Sequence, residues 1–225
     1  GHTFACGLGY EAGKWNEGDY NTAIGHYSVG SNGVSDGNSN TGVGYEALKV
    51  ITSGNANTAV GKDALVANSS GSDNTAVGYY ALVSNTSAQR STAVGYQAVE
   101  DSTTADYATG FGAYTLRDLT TGNNNTAVGA FAGDDITTGA NNTCIGYQAT
   151  ASSGTVNNEI TLGNSSVATL RCNTQTISSL SDARDKTDVQ ELPEGLDFIS
   201  KLNPVKFKWQ TRDGNSKDGS YEAGF

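Results

Sequence analysis

A repeat with a 17-residue period is the feature that most constrains what this chain can fold into. Each copy centres on a glycine that follows a small residue and then an apolar one, most clearly in the phrase Thr-Ala-Val-Gly. From Gly44 onward the spacing between successive glycines is constant, and only the first two steps, sixteen and nineteen positions long, differ. Ten copies of one short pattern predict a stack of similar structural units. The ten glycines are Gly9, Gly25, Gly44, Gly61, Gly78, Gly95, Gly112, Gly129, Gly146 and Gly163.

A short β-strand fits each copy better than a helix does. Thr-Ala-Val-Gly has the period-two alternation of a strand of about four residues. The stretches between copies are rich in Asn, Gly and Ser, which favour turns with left-handed backbone angles and are poor helix formers. Stacked coils would place equivalent residues one strand spacing apart, about 4.8 Å. The sequence therefore predicts an all-β repeat fold, a parallel β-solenoid or β-roll, over residues 1–165.

The alternation within each strand predicts which side chains form ladders. The residue before the glycine is always apolar, and we expect the valines at this position to form a ladder inside the solenoid. Asn opens most copies, as at Asn57 and Asn74, and predicts a ladder in a turn. The small residues and the glycines share the opposite strand face, which we predict to pack around a threefold axis. The alternative is a narrow solenoid whose own opposite wall presses against this face.

Composition excludes several function classes. Only 36% of the residues are hydrophobic, as expected for a repeat fold in which each coil buries little. The net charge of −10 disfavours nucleic-acid binding, which needs clustered Lys and Arg. No apolar run is long enough to cross a membrane, and no signal peptide is visible. The absence of Met indicates that the chain is an internal fragment of a longer protein.

Cysteine and histidine provide no basis for a cofactor or metal site. The three cysteines, Cys6, Cys144 and Cys172, are too few and too far apart for a disulfide framework, and they leave the redox compartment open. The two histidines, His2 and His26, cannot form a histidine-rich metal site and are expected to be incidental. We therefore predict neither a cofactor nor a bound metal.

The repeats resemble the head repeats of trimeric autotransporter adhesins, whose signature is Asn-x-x-Ala-Ile/Val-Gly. The resemblance covers roughly residues 3–165, although the 17-residue period is longer than the usual adhesin repeat. Similar repeats occur in viral tail fibres. The resemblance implies a left-handed parallel β-roll that is trimeric and acts as an adhesive stalk or head. Calcium-binding nonapeptide rolls and left-handed hexapeptide helices are excluded, because their motifs do not occur here.

After Gly163 the repeat stops and the composition changes. Residues 166–180 form a connector that is predicted to contain strand structure, and residues 181–225 hold seven of the thirteen Lys and Arg and both prolines. A helix is predicted to start within 181–190, with Ser181 or Asp182 as its N-cap. A second helix is predicted over 194–202, and the alternating stretch 205–209 is predicted to be a strand.

The ordered motifs Ser-Asp-x-Arg-x-Lys, Leu-Asn-Pro-Val-x-Phe-x-Trp and Ala-Gly-Phe of residues 181–225 resemble the C-terminal intramolecular chaperone of phage tailspike endosialidases and related tail fibres. The resemblance implies the first part of an α/β domain that drives trimer assembly and then cuts itself off. It implies Ser181 as nucleophile, Lys186 as its base, and the bond between Leu180 and Ser181 as the cut. The residues 180–186 taken alone favour a capped helix with solvated charges, and it is the motifs that follow them and their position at the end of the repeats that favour self-cleavage.

The spacing of the dyad adds a constraint. Five residues along an ideal helix place two side chains about 140° apart around the axis. Either Ser181 precedes the regular helix, or the lysine that serves it belongs to another subunit. The second arrangement would couple cutting to assembly.

Three functions are compatible with these patterns. The leading prediction is a homotrimeric viral tail fibre on the virion tail, which contacts other tail proteins and a host receptor or glycan. The first alternative is a bacterial trimeric surface adhesin without proteolysis. The second is a carbohydrate-degrading tailspike, for which Asp134-Asp135 or Glu100-Asp101 would be the paired carboxylates. Both acid pairs are expected to be exposed turn charges instead.

Overall fold

The computed structural model describes residues 6–30, 32–171, 205–207 and 222–224. The chain divides into two compact units, Gly1–Leu170 and Arg171–Phe225. The first unit contains ten strands of three residues each, in one parallel sheet whose spatial order is the chain order. The strands are β1 Cys6–Leu8, β2 Thr22–Ile24, β3 Thr41–Val43, β4 Thr58–Val60, β5 Thr75–Val77, β6 Thr92–Val94, β7 Thr109–Phe111, β8 Thr126–Val128, β9 Thr143–Ile145 and β10 Ile160–Leu162.

Each strand pairs with its sequence neighbours in strict register, so residues that are equivalent in the repeat lie side by side. Thr58, Ala59 and Val60 of β4 pair with Thr75, Ala76 and Val77 of β5, for example. The prediction of a parallel solenoid with one strand per repeat is confirmed. The longer step between Gly25 and Gly44 is absorbed in the loop before Asn40, where Asn16 and Ser35 form an isolated parallel bridge.

The core lies between this sheet and the opposite walls of the same coil. The central residue of each strand from β2 to β9 is buried, and Ala59, Ala76 and Ala93 are completely buried. Two further residues of most coils meet them, usually an alanine three residues after the glycine and a leucine or valine after that, such as Ala64 and Leu65. Because both walls contribute small side chains, the coil is narrow and closes on itself.

The prediction that the valines point into the solenoid and the small residues point out of it is therefore wrong. The valines form a ladder on the outside of the solenoid, and the alanine face is buried against the chain's own opposite wall. The alternative of a narrow, self-packed solenoid holds instead. The physical reason is volume: beside the opposite wall there is room for Ala, Gly or Cys, and a valine at that position would overfill the core.

Left-handed backbone angles recur at fixed places in each coil, as the turn residues predict. Asp63 and Leu65 have φ of 57° and 50°, and Asp73 has φ of 61°. The repeating glycine is also required: Gly61 has φ of 135°, and a Cβ there would collide with the carbonyl of Gly78 in the next coil. These bends, two of them at buried non-glycine residues, close each 17-residue coil.

The asparagines form the predicted turn ladder, and they are buried. The side chain of Asn74 donates to the carbonyl of Ala88 at 2.8 Å, and its Oδ1 accepts from the backbone N–H of Ser91 at 2.9 Å. In the same way Asn57 Oδ1 accepts from the N–H of Asn74 at 3.0 Å. Each asparagine thus satisfies backbone groups of the next coil that a turn would otherwise leave unpaired.

Beyond Arg171, the second unit is described only at two short strands, β11 Val205–Phe207 and β12 Glu222–Gly224, which pair antiparallel. The strand expected over 205–209 is present at its first three residues. The helices expected over 181–190 and 194–202 lie outside the described residues. In the described part of the chain there is no helix, and so none that could cross a membrane.

Candidate assembly surface

The residues predicted to carry chemistry, Leu180, Ser181 and Lys186, all lie outside the described residues. The first unit offers a different kind of site. It is an apolar surface on the outer face of the ten-stranded sheet, formed by side chains that were expected inside the fold.

We name this surface the outward strip: the ten apolar residues that immediately precede the repeating glycines. Because the strands pair in register, these side chains form one continuous row. Leu8 at the first strand is 66% exposed, Val60 is 36% exposed and Phe111 is 46% exposed. The strip consists of Leu8, Ile24, Val43, Val60, Val77, Val94, Phe111, Val128, Ile145 and Leu162.

A row of threonines borders the outward strip on one side. These residues begin the strands, from Thr22 in β2 to Thr143 in β9, and all eight of them are partly buried. Cys6 and Ile160 occupy the same place in β1 and β10. The outer sheet face therefore alternates a hydroxyl row with an apolar row, and neither row contains a charged residue.

On its other side the strip is bordered by the aromatic lane, the residues that follow the repeating glycines. His26 stacks between Tyr10 and Tyr45, with ring centroids 5.0 and 5.4 Å apart. Tyr79 stacks on Tyr96 at 5.3 Å. The stacking spacing is close to the coil spacing of about 4.8 Å, so the lane follows directly from the repeat.

Lys62 is the one lysine or arginine in the aromatic lane of the described coils, and the lane holds no acid. Its Nζ lies 5.6 Å from the ring of Tyr45 and 5.2 Å from that of Tyr79, which brackets it between two aromatic faces. It also pairs with the carboxylate of Asp63 at 2.9 Å. The hydrogen bond to Asp63 raises the pKa of the Lys62 ammonium, so the group stays charged at neutral pH. The charge is neutralised within the chain.

The outward strip has the length and chemistry of a contact surface. Nine coil steps of about 4.8 Å make the sheet about 43 Å long. The three rows together cover roughly 500 Å² in plan, which is the size of patch that marks an interaction site on a soluble protein. The chain has a net charge of −10, yet no acid stands in the strip or in the threonine row. Two copies can meet there without bringing like charges together.

The two acid pairs considered for glycan cleavage lie at turns, as predicted, at equivalent positions of coils that are two repeats apart. Glu100 accepts from Gln97 Nε2 at 2.6 Å, and Asp135 accepts from the N–H of Ala151 at 3.2 Å. Burial raises the pKa of Asp134, which faces a polar cleft of about 420 Å³. Only Asp101 of the four acids is exposed, so the expectation of solvated charges holds for that residue alone. The cleft is lined by Asp134, Gln148, Thr150, Asn164, Ser165 and Ser166.

The two described cysteines are free thiols and differ in environment. Cys6 is exposed at the first strand, and Cys144 occupies the buried centre of β9 in place of alanine. Burial raises the pKa of the Cys144 thiol to about 11, so it is an inert, protonated filler of the core. Among the described residues, no group of three or more His, Cys, Asp and Glu side chains could hold a metal ion.

Comparison with known proteins informs the C-terminal part of the chain. No curated protein and no solved structure matches the chain. Residues 181–225 match the family model described as chaperone of endosialidase. The match covers the segment in which the resemblance was recognised and begins at Ser181. The chain thus combines a parallel β-solenoid with a segment similar to the chaperone of endosialidase, an arrangement that fits a tail-fibre-like protein.

Proposed function

We propose that this chain is part of a homotrimeric viral tail fibre, in which a solenoid shaft or head is assembled by the chaperone segment that follows it. The observation that carries the proposal is the chaperone-of-endosialidase match at residues 181–225, beginning shortly after the last coil. A chaperone for trimer assembly is needed where the folded product must associate along a long repetitive surface. The first unit has such a surface in the outward strip.

In the proposed trimer, three left-handed β-rolls meet through their outward strips. The alanine face, first expected to form the threefold contact, is unsuitable because it is buried within each chain. Association through the strip would remove ten apolar side chains from water without desolvating a carboxylate. The uncharged strip and the acidic character of the other walls favour this single mode of contact.

The proposed maturation step is a single self-cleavage between Leu180 and Ser181. The hydroxyl of Ser181 attacks the carbonyl carbon of Leu180 while the neutral amine of Lys186 accepts its proton. The protonated Lys186 returns this proton to the Ser181 nitrogen, so the peptide bond breaks and Leu180 is held as an ester on the Ser181 hydroxyl oxygen. Water then hydrolyses the ester, which leaves a carboxylate on Leu180 and frees the Ser181 hydroxyl. Lys186 acts from the same or from a neighbouring copy. The second arrangement would delay cutting until the trimer has formed.

The fibre is proposed to reside on the virion tail, to contact other tail proteins and to bind a host receptor or glycan. A bacterial surface adhesin would have the same repeats but would remain uncut. A tailspike would degrade its glycan, and the polar cleft at Asp134 is the place where such activity would be tested first.

The deciding experiment uses the full-length protein in three forms: wild type, Ser181→Ala, and Ser179→Ala as the matched control. We expect wild type and Ser179→Ala to yield a fragment beginning at Ser181, seen by intact mass and N-terminal sequencing, and Ser181→Ala to stay whole. Light scattering should give three times the chain mass. An uncut wild type that forms trimers would favour the adhesin, and a monomeric wild type would overturn the fibre proposal.

The origin of the catalytic lysine is tested by co-expressing Ser181→Ala with Lys186→Ala. If the lysine acts between copies, the Lys186→Ala chains will be cut in mixed trimers, because a Ser181→Ala neighbour supplies the lysine. If both chains remain whole in mixed trimers, the dyad operates within one chain.

A further inference from the structure

The wall that follows the repeating glycines changes its chemistry near the C-terminal end of the solenoid. At the fourth place after the glycine, five successive coils bury a large apolar side chain completely, namely Leu48, Leu65, Leu82, Val99 and Leu116. Gly133 and then Thr150 take this place in the next two coils, and Thr150 is exposed. The polar cleft of about 420 Å³ lies where this apolar row ends, and Thr150 is one of its lining residues.

Three successive coils line the cleft. Asp134 comes from the eighth coil, Gln148 and Thr150 come from the ninth, and the tenth contributes 164–166. Two of the residues from the tenth coil depart from the repeat, because Ser166 takes the place of the buried alanines and Asn164 takes a place in the aromatic lane. All six lining side chains are polar, and none of them belongs to Lys, Arg or His.

The lining offers hydrogen-bond donors and acceptors side by side. The carboxylate of Asp134 accepts, whereas the amide of Gln148 and the hydroxyl of Thr150 both donate and accept. The side chains of Gln148 and Thr150 bond to no other residue in the described part of the chain. The Oδ1 of Asn164 accepts from the backbone N–H of Ser166 at 3.0 Å, which fixes this amide and leaves its Nδ2 as a donor. The cleft can therefore bond to a ligand that carries several hydroxyl groups.

An exposed aromatic ring stands next to the lining. Tyr147 immediately precedes Gln148, is 58% exposed and is the last ring of the aromatic lane, because Asn164 follows it there. In the described coils its one ring contact is an edge-on contact with Phe131 of the preceding coil, at 6.3 Å. The side of Tyr147 towards the tenth coil is therefore not covered by another ring, and an apolar face of a ligand can pack there.

We propose that the cleft binds one sugar ring of a neutral glycan. This inference rests on the proposed function, for which it names the receptor-binding site and the class of receptor. The volume of about 420 Å³ lies within the range of roughly 300–1,000 Å³ that is usual for small-molecule sites. The planar groups of Asp134 and Gln148 can each bond to two neighbouring hydroxyls of a sugar, while its C–H face packs on Tyr147.

Other ligand classes fit the cleft less well. An anion such as a phosphate or an acidic sugar would meet the carboxylate of Asp134 in an acidic chain, without a cationic side chain in the lining to offset the repulsion. An apolar ligand would strip water from six polar side chains and return no hydrogen bond to them. A neutral polyhydroxylated ligand meets both conditions.

The composition of the cleft predicts binding without cleavage. Most glycosidases need two carboxyl groups that flank the bond to be cut. Asp134 is the single acid among the six lining residues. The adjacent Asp135 is not part of the lining, and its Oδ1 accepts from the backbone N–H of Ala151 at 3.2 Å. The cleft therefore fits a receptor site of a fibre better than the active site of a tailspike.

The proposed trimer would present three such clefts near one end of the solenoid. None of the lining residues belongs to the outward strip or to the threonine row, so association through the strip leaves the cleft available. For a single sugar ring we expect a Kd on the order of 1 mM. Three linked sites on one fibre raise the strength of attachment to a surface that carries many copies of the glycan.

The test is a titration of the full-length protein by saturation-transfer-difference NMR. The neutral probes are the methyl glycosides of glucose, galactose, mannose and N-acetylglucosamine, and the anionic probe is N-acetylneuraminic acid. We expect at least one neutral glycoside to bind and the anionic probe not to bind.

Two variants locate the binding. Thr150→Leu restores the residue type that the repeat has at this place and fills the cleft, and Asp134→Asn removes the charge with little change of shape. We expect each to weaken binding about tenfold or more, as a lost hydrogen bond to a charged group or a filled site implies. Gln97→Ala is the matched control: Gln97 is equivalent to Gln148 but lies outside the cleft, and its affinity should stay within about twofold of wild type. Thermal unfolding should show Thr150→Leu to be as stable as wild type.

The outcomes separate the cleft from the fibre. A wild type that binds none of the neutral glycosides, or a Thr150→Leu variant that binds them as wild type does, would overturn the assignment of the cleft. If that protein is trimeric and self-cleaved, the proposed function still stands. A protein that loses glycoside binding in Thr150→Leu but is monomeric and uncut would keep the saccharide site and remove the fibre proposal.

Discussion

The two faces of the same ten-stranded sheet are under different constraints. The inward positions from β2 to β9 accept only Ala, Gly or Cys and are almost completely buried. The outward positions accept Val, Ile, Leu and Phe and remain partly exposed. The inward face is limited by a wall of the same chain at fixed distance, whereas the outward face meets no such wall in the described coils. The difference indicates that the inner face determines the dimensions of the coil, and it leaves the outer face as the surface through which we propose that copies assemble.

The difference between the two faces is tested most directly by placing one large residue on each face of β5. Ala76→Leu overpacks a fully buried position, and we expect a loss of about 3 kcal/mol or more in unfolding free energy. Val77→Leu should change the stability by less than about 0.5 kcal/mol, because the outward position has room. Thermal unfolding followed by circular dichroism measures both. Equal effects of the two variants would contradict the assignment of the faces.

A charge on the outer face should separate assembly from folding. Val77→Glu together with Val94→Glu places two carboxylates in the centre of the outward strip, and we expect trimers to dissociate while the β-signal of each chain is retained. Light scattering and circular dichroism on the same sample are the readouts. Val34→Glu, at an exposed apolar residue outside the strip, is the control and should stay trimeric.

Loss of one ladder asparagine should have an intermediate effect. Asn74→Ala removes the partners of the Ser91 N–H and of the Ala88 carbonyl, and we expect it to cost about 2 kcal/mol through buried groups left unpaired. Asn32→Ala, at an exposed loop residue, should be neutral within about 0.5 kcal/mol. Denaturant unfolding compares the two. A stability for Asn74→Ala equal to that of Asn32→Ala would mean that the ladder is dispensable.

The smallest effect concerns the two described thiols. Because burial raises the pKa of Cys144 to about 11, its thiol stays protonated in the fold when an unfolded thiol has begun to ionise near pH 9. The stabilising contribution is therefore present below about pH 9 and is lost as the pH approaches 11. At pH 8 iodoacetamide should modify Cys6 and spare Cys144 until denaturant is added, as read by peptide mass spectrometry. Rapid modification of native Cys144 would show that the core opens locally.

The period, the parallel pairing and the asparagine ladder could be predicted from the sequence, because each depends only on repetition. The direction of the strand faces could not be inferred from alternation, since a three-residue strand such as Thr58–Val60 alternates equally well in either sense. The sizes of the residues at the two positions would have identified which face points inward. Restriction to Ala, Gly and Cys marks a position that faces a wall, and tolerance from Val to Phe marks one that does not.

The chemical site was predicted in a different way. Ser181 and Lys186 were identified through resemblance, and their segment matches the chaperone family model, but both residues lie outside the described structure and their roles stay predictions. Strand β11 was anticipated by the alternation of Val205 to Trp209, while its partner β12 was not. Nothing in the short stretch Glu222–Gly224 identifies its pairing, which depends on distant residues.

The in-register stacking of coils has a consequence for how such a molecule changes length. Adding or removing one 17-residue repeat adds or removes one strand and one hydrogen-bonded layer, and every other layer keeps its neighbours. The length of the solenoid therefore changes in steps of about 4.8 Å, one strand spacing for each repeat. Duplication or loss of whole repeats therefore changes the length of the solenoid without disturbing the layers that remain.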